Sequence, residues 1–309
     1  MKKLSFLIAA VLLTLGCSNG QNEPDTPPEP VPEPDPVPAV LNLASFNIRL
    51  DTKDDTDYKD WQSRKANCMT VVRDHGFDVF GLQEVLYNQQ GDFKEMLPEY
   101  GFYFVGRDNG VSGEAVGVGY RKDAFELLEW ERFWLSDTPD RPSNSLNWGG
   151  MTRRRVAAWV KLRHKESGKA FYFLATHLEV DNNGKSYAGV REKSAQLIIS
   201  RMKEENSDNI PLFVVGDMNP ASDEEAALTE FRAAYKDSFR VADEAGVREG
   251  PKATYQAFDP NRNLDKASSH PSDFIFYTTG TLKKFSALTD KFGGYYPSDH
   301  LPVVAVIEI

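Results

Sequence analysis

Tyr296-Pro297-Ser298-Asp299-His300-Leu301-Pro302 stands immediately before the apolar run Val303-Val304-Ala305-Val306-Ile307 near the end of the chain. The apolar run reads as a strand, and the stretch before it as the mouth of that strand. Successive strand residues face opposite ways, but a proline on each side predicts an irregular entry, so Asp299 and His300 can both address one cleft. Taken alone, the stretch reads equally well as a polar turn before an edge strand, because loops collect Asp, His, Ser and Pro. What decides is whether other strand ends carry matching polar groups.

They do. Leu41 to Arg49 reads as a buried strand that ends in Ser45-Phe46-Asn47. Trp61 to His75 has helical spacing with a stop at Gly76, and Asp78 to Val85 gives a short strand closing on Gln83-Glu84. A carboxylate among apolar neighbours costs several kcal/mol unless it is paired or holds a metal, so Glu84 belongs either to a solvated edge or to a site. A helix is expected around Gln89 to Leu97, followed by strands at Phe102 to Val105 and Glu114 to Arg121 and an apolar pair around Phe125 to Leu135. After a long polar loop, Arg153-Arg154-Arg155 opens the strand Val156 to Leu162; guanidinium forks match phosphate oxygens, although three arginines also suit a solvated surface. Its hairpin partner, Ala170 to Glu179, brings His177 to the end of an all-apolar run. A helix from about Tyr187 to Glu205 leads to Pro211 to Val215, a buried strand that empties into Gly216-Asp217-Met218-Asn219. Ser222 reads as an N-cap with Asp223, Glu224 and Glu225 in the first helical turn, serving the helix dipole. Ser272-Asp273 then introduces another apolar strand.

The composition narrows the chemistry. The 309 residues are 40% hydrophobic with 12% aromatic, enough for one large core or two ordinary ones. Lys2-Lys3, the apolar Leu4 to Leu15 and Gly16-Cys17 form a secretory signal that resembles a bacterial lipoprotein signal, with Cys17 as the lipidation site. Residues 18–40 are a Pro-rich acidic tether, extended and semi-rigid, and residues 41–309 form the folded domain. The formal charge is −10; without Lys2, Lys3 and the tether acids Glu23, Asp25, Glu29, Glu33 and Asp35, 34 basic face 41 acidic side chains, or −7. A protein that binds nucleic acid over its whole surface should be basic, so an anionic substrate is small or gripped locally. With Cys17 carrying lipid, Cys68 is left alone, a small apolar residue on a helix, and no disulfide within the domain is expected.

Asn47, Glu84, His177, Asp217, Asn219, Asp273, Asp299 and His300 are thus expected at six strand ends. Carboxylates with an amide oxygen are hard donors suited to Mg²⁺ or Mn²⁺, and with a His–Asp pair they equip a site for displacement at phosphorus. Ser45-Phe46-Asn47, Leu82-Gln83-Glu84-Val85, Ala175-Thr176-His177-Leu178, Gly216-Asp217-Met218-Asn219, Ser272-Asp273-Phe274-Ile275 and Ser298-Asp299-His300-Leu301-Pro302 occur in the order of the endonuclease/exonuclease/phosphatase superfamily, which the chain resembles from about Leu41 to Ile309. The resemblance implies an α+β fold, a four-layer sandwich of two mixed β-sheets packed face to face and flanked by helices. It implies Glu84, Asp299 and Asn47 as metal ligands and His300 as the catalytic histidine, oriented by Asp273. Asp217 would position the attacking water, Asn219 and His177 would contact the phosphate, and Arg155 would bind substrate phosphate. Arg191 reads instead as a structural ion pair. Leu178-Glu179 after His177, where deadenylase-like relatives carry Leu-Asp-His, and Ser272 before Asp273 leave the substrate open.

The reading is a lipid-anchored, Mg²⁺-dependent (or Mn²⁺-dependent) monomeric phosphoesterase of the bacterial cell envelope. Small phosphate esters or phospholipid head groups rank ahead of DNA or RNA as substrate because of the charge. A membrane hairpin at Trp130, Phe133 and Trp134 competes with a core strand there. A non-catalytic surface-binding lipoprotein would not need all six motifs, a glycosidase built on Glu84 and Asp217 leaves both histidines unused, and a serine hydrolase lacks its G-x-S-x-G elbow.

Overall fold

A computed structural model describes residues 37–309. Cys17, the signal and most of the tether lie outside the described residues. Among those residues, no helix is long and apolar enough to cross a membrane. The chain runs in the order β1 (Val40–Asn47), α1 (Trp61–Asp74), β2 (Val79–Val85), α2 (Tyr87–Met96), β3 (Tyr100–Gly106), β4 (Ala115–Arg121), β5 (Phe125–Trp134), β6 (Val156–His164), β7 (Ala170–His177), α3 (Ala188–Glu205), β8 (Leu212–Asp217), α4 (Ala226–Ala234), β9 (Lys236–Asp237), α5 (Ser238–Ala245), β10 (Arg248–Glu249), β11 (Asp273–Tyr277), β12 (Thr281–Ala287) and β13 (Val303–Glu308). The sheet starts slightly earlier than the expected boundary at residue 41: Ala39 is buried and exchanges backbone hydrogen bonds with Ile309 at 3.1 and 2.9 Å.

Two mixed sheets form the centre, one ordered β10-β12-β13-β1-β2-β4-β3 and the other β5-β6-β7-β8-β11-β9. The central strands, β1, β2, β7, β8 and β11, are apolar on both faces because each sheet is covered twice. In β7, Phe171, Phe173 and Ala175 point into the core between the sheets, while Tyr172 and Leu174 point outward under α3 and α4. In β1, Leu41 and Leu43 face the same inner core, while Ala44 and Phe46 face α1 and α2. Period-2 alternation therefore yields helix, sheet, sheet, helix. The two sheets approach closely at Gly81, where a Cβ would overlap the Val215 side chain. Of the aromatic residues considered for a membrane hairpin, Phe133 and Trp134 are buried and only Trp130 is exposed, so that stretch is a strand of the sandwich.

One helix start differs from expectation. Helix α4 begins at Ala226 with Glu225 as N-cap and no acid in its first turn. The acids are taken by arginines: Asp223 accepts from Arg232 and Arg240, and both Glu225 oxygens accept from Arg191 at 2.6 and 2.9 Å. Bidentate charge-assisted bonds outweigh the few tenths of a kcal/mol a helix dipole offers an acid.

Candidate active site

Topology brings the six strand ends to one edge of the sandwich. β1 and β2 run parallel, as do β7 and β8, so their C-terminal ends lie together, while β11 and β13 run antiparallel to their neighbours and begin at that edge. The register sets His177 opposite Asp217 and Asp217 opposite Asp273. Glu84 follows a register shift between Leu82 and Val85 and has φ 62°. The irregularity leaves Gln83 buried against Ser45 and presents the half-buried Glu84 to the cleft. Arg49 and Asn219, beside the same cleft, are also non-glycines with positive φ, at 60° and 49°. Such conformations cost on the order of 1–3 kcal/mol each and persist where the surroundings enforce them.

The stretch before β13 is fixed from several sides. Pro297 O accepts from Arg64 Nη1 and from the Cys68 thiol, both at 3.3 Å, and Ser298 Oγ donates to Asn47 O at 2.7 Å. Asp299 O accepts from Gln256 N at 2.9 Å, and Leu301 N donates to Thr254 O at 2.7 Å. Cys68 is buried as expected, and burial pushes its thiol up to about 11.

Asp217 is the centre of the polar cluster. Its Oδ2 accepts from Asn47 Nδ2 at 3.0 Å and lies 3.5 Å from His177 Nε2 and 3.6 Å from His300 Nε2; its Oδ1 accepts from Asn219 N at 3.0 Å. His300 Nδ1 is 2.8 Å from Asp273 Oδ2, the same oxygen that accepts from Thr254 Oγ1 at 2.6 Å. Asp217, Asp273 and His300 bring ligand atoms within 4.8 Å of one another. These three are close enough to share a cation, but Asp273 Oδ2 is already committed to His300 and Thr254, so the arrangement is that of a hydrogen-bonded dyad beside a central carboxylate.

Burial raises the Asp217 carboxyl to about 7, reinforced by Asp273 and Glu84 and opposed by His300 and Asn47. Burial disfavours charge on both histidines, yet they part company. Asp273, Asp217 and Asp299 overcome it at His300 and lift that imidazole well above its usual value. At His177, burial is joined by Arg155, His300, Arg107 and Arg153, and the ring is held neutral.

Glu84 and Asp299 both address the cleft, with the Arg49 guanidinium attracted to both and bonded to Asp55 at 2.9 Å. Asn47 stands beside them, but with its nitrogen toward the carboxylates: Nδ2 donates to Glu84 Oε1 at 3.1 Å, and Oδ1 accepts from Arg49 N at 3.0 Å. Both carboxylates line the cleft; Glu84 accepts from Asn47 Nδ2 and, at 3.1 Å, from Leu50 N, and Asp299 accepts only a long 3.4 Å bond from a side chain, so the pair offers hard oxygen donors of the kind that fits a divalent cation. Asn219 lines the cleft with its Nδ2 donating to Leu178 O at 3.1 Å. Arg155 lines it too, almost fully buried. Arg191 makes the structural ion pair expected of it, bonded to the buried Glu225 and to Asp181, which lines the cleft.

The cleft measures about 730 Å³. One wall is the long segment between β10 and β11, which contributes Tyr255, Arg262, Asn263, Lys266 and His270. This segment also supplies Thr254 to Asp273 and Gln256 to Asp299, contacts that no strand pattern announces. Its length without regular structure is the only sequence signal that it serves a site.

A family model described as the endonuclease/exonuclease/phosphatase family matches residues 44–300. The chain belongs to that family. An endonuclease/exonuclease/phosphatase family protein of Bacteroides thetaiotaomicron is 30% identical, with a TM-score of 0.78 over 88% of this chain and 98% of its own. A mannosyl-6-phosphatase from the same species is 31% identical, with a TM-score of 0.75 over 86% of this chain and 99% of its own. The Ccr4 exoribonuclease subunit of the Kluyveromyces lactis CCR4-Not complex is 24% identical over 81% of this chain. The chain spans only 34% and 38% of the length of the first curated relatives it matches. The family's fold, two mixed sheets with flanking helices, is the one described above.

Proposed function

We propose that this protein is a divalent-metal-dependent phosphoesterase acting on a small phosphate ester. The observation that carries the reading is the meeting, in one cleft, of the His300–Asp273 dyad, the central Asp217, the Glu84 and Asp299 carboxylates and the arginines Arg153 and Arg155. Glu84 and Asp299 would hold the ion, which when bound neutralises charge on a phosphate oxygen. Arg155 takes the phosphate, with the Asn219 amide at its edge. His300, protonated and aligned by Asp273, directs Nε2 toward Asp217 and stabilises negative charge on the transferring group. Asp217, with a carboxyl raised to about 7, is matched to taking a proton from the attacking water near neutral pH. His177, neutral, offers a hydrogen bond to the phosphate.

The relative that acts as a mannosyl-6-phosphatase supports a sugar phosphate as the small ester, with a phospholipid head group as the neighbouring class. The Ccr4 likeness, to an exoribonuclease, supports RNA as the substrate in a second reading, a secreted nuclease acting on DNA or RNA. The acidic charge and the local confinement of the arginines weigh against it. In this proposal the signal and Cys17 support a lipid-anchored enzyme outside the cytoplasm, acting as a monomer. Purified protein incubated with sugar phosphates, inositol phosphates, phospholipid head-group esters, DNA and RNA at fixed Mg²⁺ decides among these. Turnover of only the nucleic acids would overturn the small-ester reading, and turnover of none would overturn the phosphoesterase reading.

A further inference from the structure

Glu179, directly after Leu178 at the end of β7, is fully buried. Its Oε1 is 3.4 Å from both Nε and Nη2 of Arg155 and 3.6 Å from Arg153 Nε, and its Oε2 has no partner among the described residues. Two guanidiniums therefore share one carboxylate at long range, and both line the cleft. The Arg155 guanidinium has no other hydrogen-bond or ion-pair partner among the described residues, and that of Arg153 has only the Met151 sulfur. Behind them Arg107 pairs with Glu114 at 2.6 Å and keeps Nη1 buried without a partner. Among these five groups three guanidiniums face two carboxylates, next to a neutral His177; Asp181, which also lines the cleft, is taken by Arg191 at 2.7 Å.

An excess positive charge on a wall whose Arg155 and Glu179 are buried is costly until a ligand supplies the missing opposite charge. The phosphate of a monoester gains its second negative charge with a pKa of about 6, whereas that of a diester carries one charge at every working pH. We propose that Arg153, held beside Arg155 on the shared carboxylate of Glu179, makes this cleft select the doubly charged phosphate of a monoester over the singly charged phosphate of a diester. The inference deepens the phosphoesterase reading and rests on it. Arg155, almost fully buried and bonded through two nitrogens, is the fixed half of the pair; Arg153, with about a third of its side chain exposed, is the half that meets the second charge. Arg154, between them in sequence, turns away toward Asp108 at 4.0 Å and does not line the cleft.

The test uses the full chain at pH 8 and fixed Mg²⁺, comparing kcat/KM for p-nitrophenyl phosphate and bis(p-nitrophenyl) phosphate in the wild type, Arg153→Met and Arg154→Met. Arg153→Met should lower the monoester-to-diester ratio by about tenfold, through a higher monoester KM with kcat within about threefold, the pattern of lost binding rather than lost chemistry. Arg154→Met removes the same charge one residue away and should keep the ratio within about twofold. Melting temperatures of both variants separate folding from selectivity. An unchanged ratio in Arg153→Met, an equal fall in Arg154→Met, or a loss confined to kcat would overturn the role of Arg153 while leaving phosphoesterase activity in place. A wild type that hydrolyses neither ester, nor any member of the wider panel, overturns this inference together with the reading beneath it.

Discussion

Asp273→Asn is expected to slow turnover by about 10- to 150-fold with little change in KM, and the structure shows why the effect isolates charge. Thr254 Oγ1 accepts from Ser272 N at 2.9 Å and from Asp273 N at 3.1 Å, so its own proton is committed to Asp273 Oδ2. That oxygen is also the partner of His300 Nδ1 at 2.8 Å, while Oδ1 is buried without a partner. An asparagine must keep its carbonyl oxygen where Thr254 and His300 donate, and its NH₂ falls in the unpartnered position. The imidazole thus retains its orientation and its Nδ1–H tautomer but loses the carboxylate that stabilises its charge. A hydrogen bond to a charged group contributes about 1.5–3 kcal/mol, which converts to the range above at a tenfold per 1.36 kcal/mol. Steady-state kinetics across pH, with the His300 ring followed by NMR, read both consequences: a lower kcat and an imidazole that titrates at lower pH. A variant within about threefold of wild type in kcat, or a His300 that titrates unchanged, would refute the argument that Asp273 acts through that ring.

Glu84→Gln keeps the shape of the side chain but removes one of the two carboxylates proposed to hold the ion; Mg²⁺ or Mn²⁺ affinity measured by calorimetry should fall at least about tenfold, and unchanged affinity would move the metal elsewhere. Arg191→Met leaves Glu225 buried without its guanidinium, and breaking a buried pair costs about 3–5 kcal/mol, so the melting temperature should drop by several degrees with the surviving enzyme unchanged in KM. Without metal, Asp217 contributes stability while protonated, from its unfolded value of 3.8, and loses it as pH rises through about 7. His300, with a raised folded-state value, likewise loses its contribution as pH rises above the ordinary imidazole range. His177, held neutral, works the other way up to its ordinary value of 6.5, so the comparison between proteins is the test: in chelator the wild type should lose more denaturant stability than Asp217→Asn between about pH 5.5 and 7, and parallel curves for the two would contradict the burial argument.

Much of the site is legible in the chain because strand ends are local features. Asn47, His177, Asp217 and His300 each close or precede an apolar run, and the parallel and antiparallel pairings bring those ends together. Glu84 is legible as an anomaly, a carboxylate in an apolar strand, whose cause is the register shift beside it. What pattern reading misses is held by long-range contacts. Thr254 and Gln256 lie on a segment with no periodicity and matter only through Asp273 and the Ser298-Asp299 backbone. Strand β12 and helix α5 are also missed: β12 alternates weakly, with Lys283 and Lys284 side by side at its middle, and α5 is only eight residues long. At α4 a local signal, Ser222 before three acids, loses to Arg191, distant in sequence, and to Arg232 on α4 itself. Glu179 is visible in the sequence, but its partners Arg153 and Arg155 become so only when β6 and β7 are paired.

The central claim is that one cleft, built from Glu84, Asp217, Asp273, Asp299 and His300, hydrolyses a phosphate ester with a divalent ion. Its most direct test is turnover of the phosphate-ester panel by wild type, Glu84→Ala and His300→Ala, with Mg²⁺ and with excess chelator. Turnover that disappears in chelator, returns with Mg²⁺ and falls at least about 100-fold in both variants is the predicted result. Turnover that persists in chelator, or variants as active as the wild type, would contradict it.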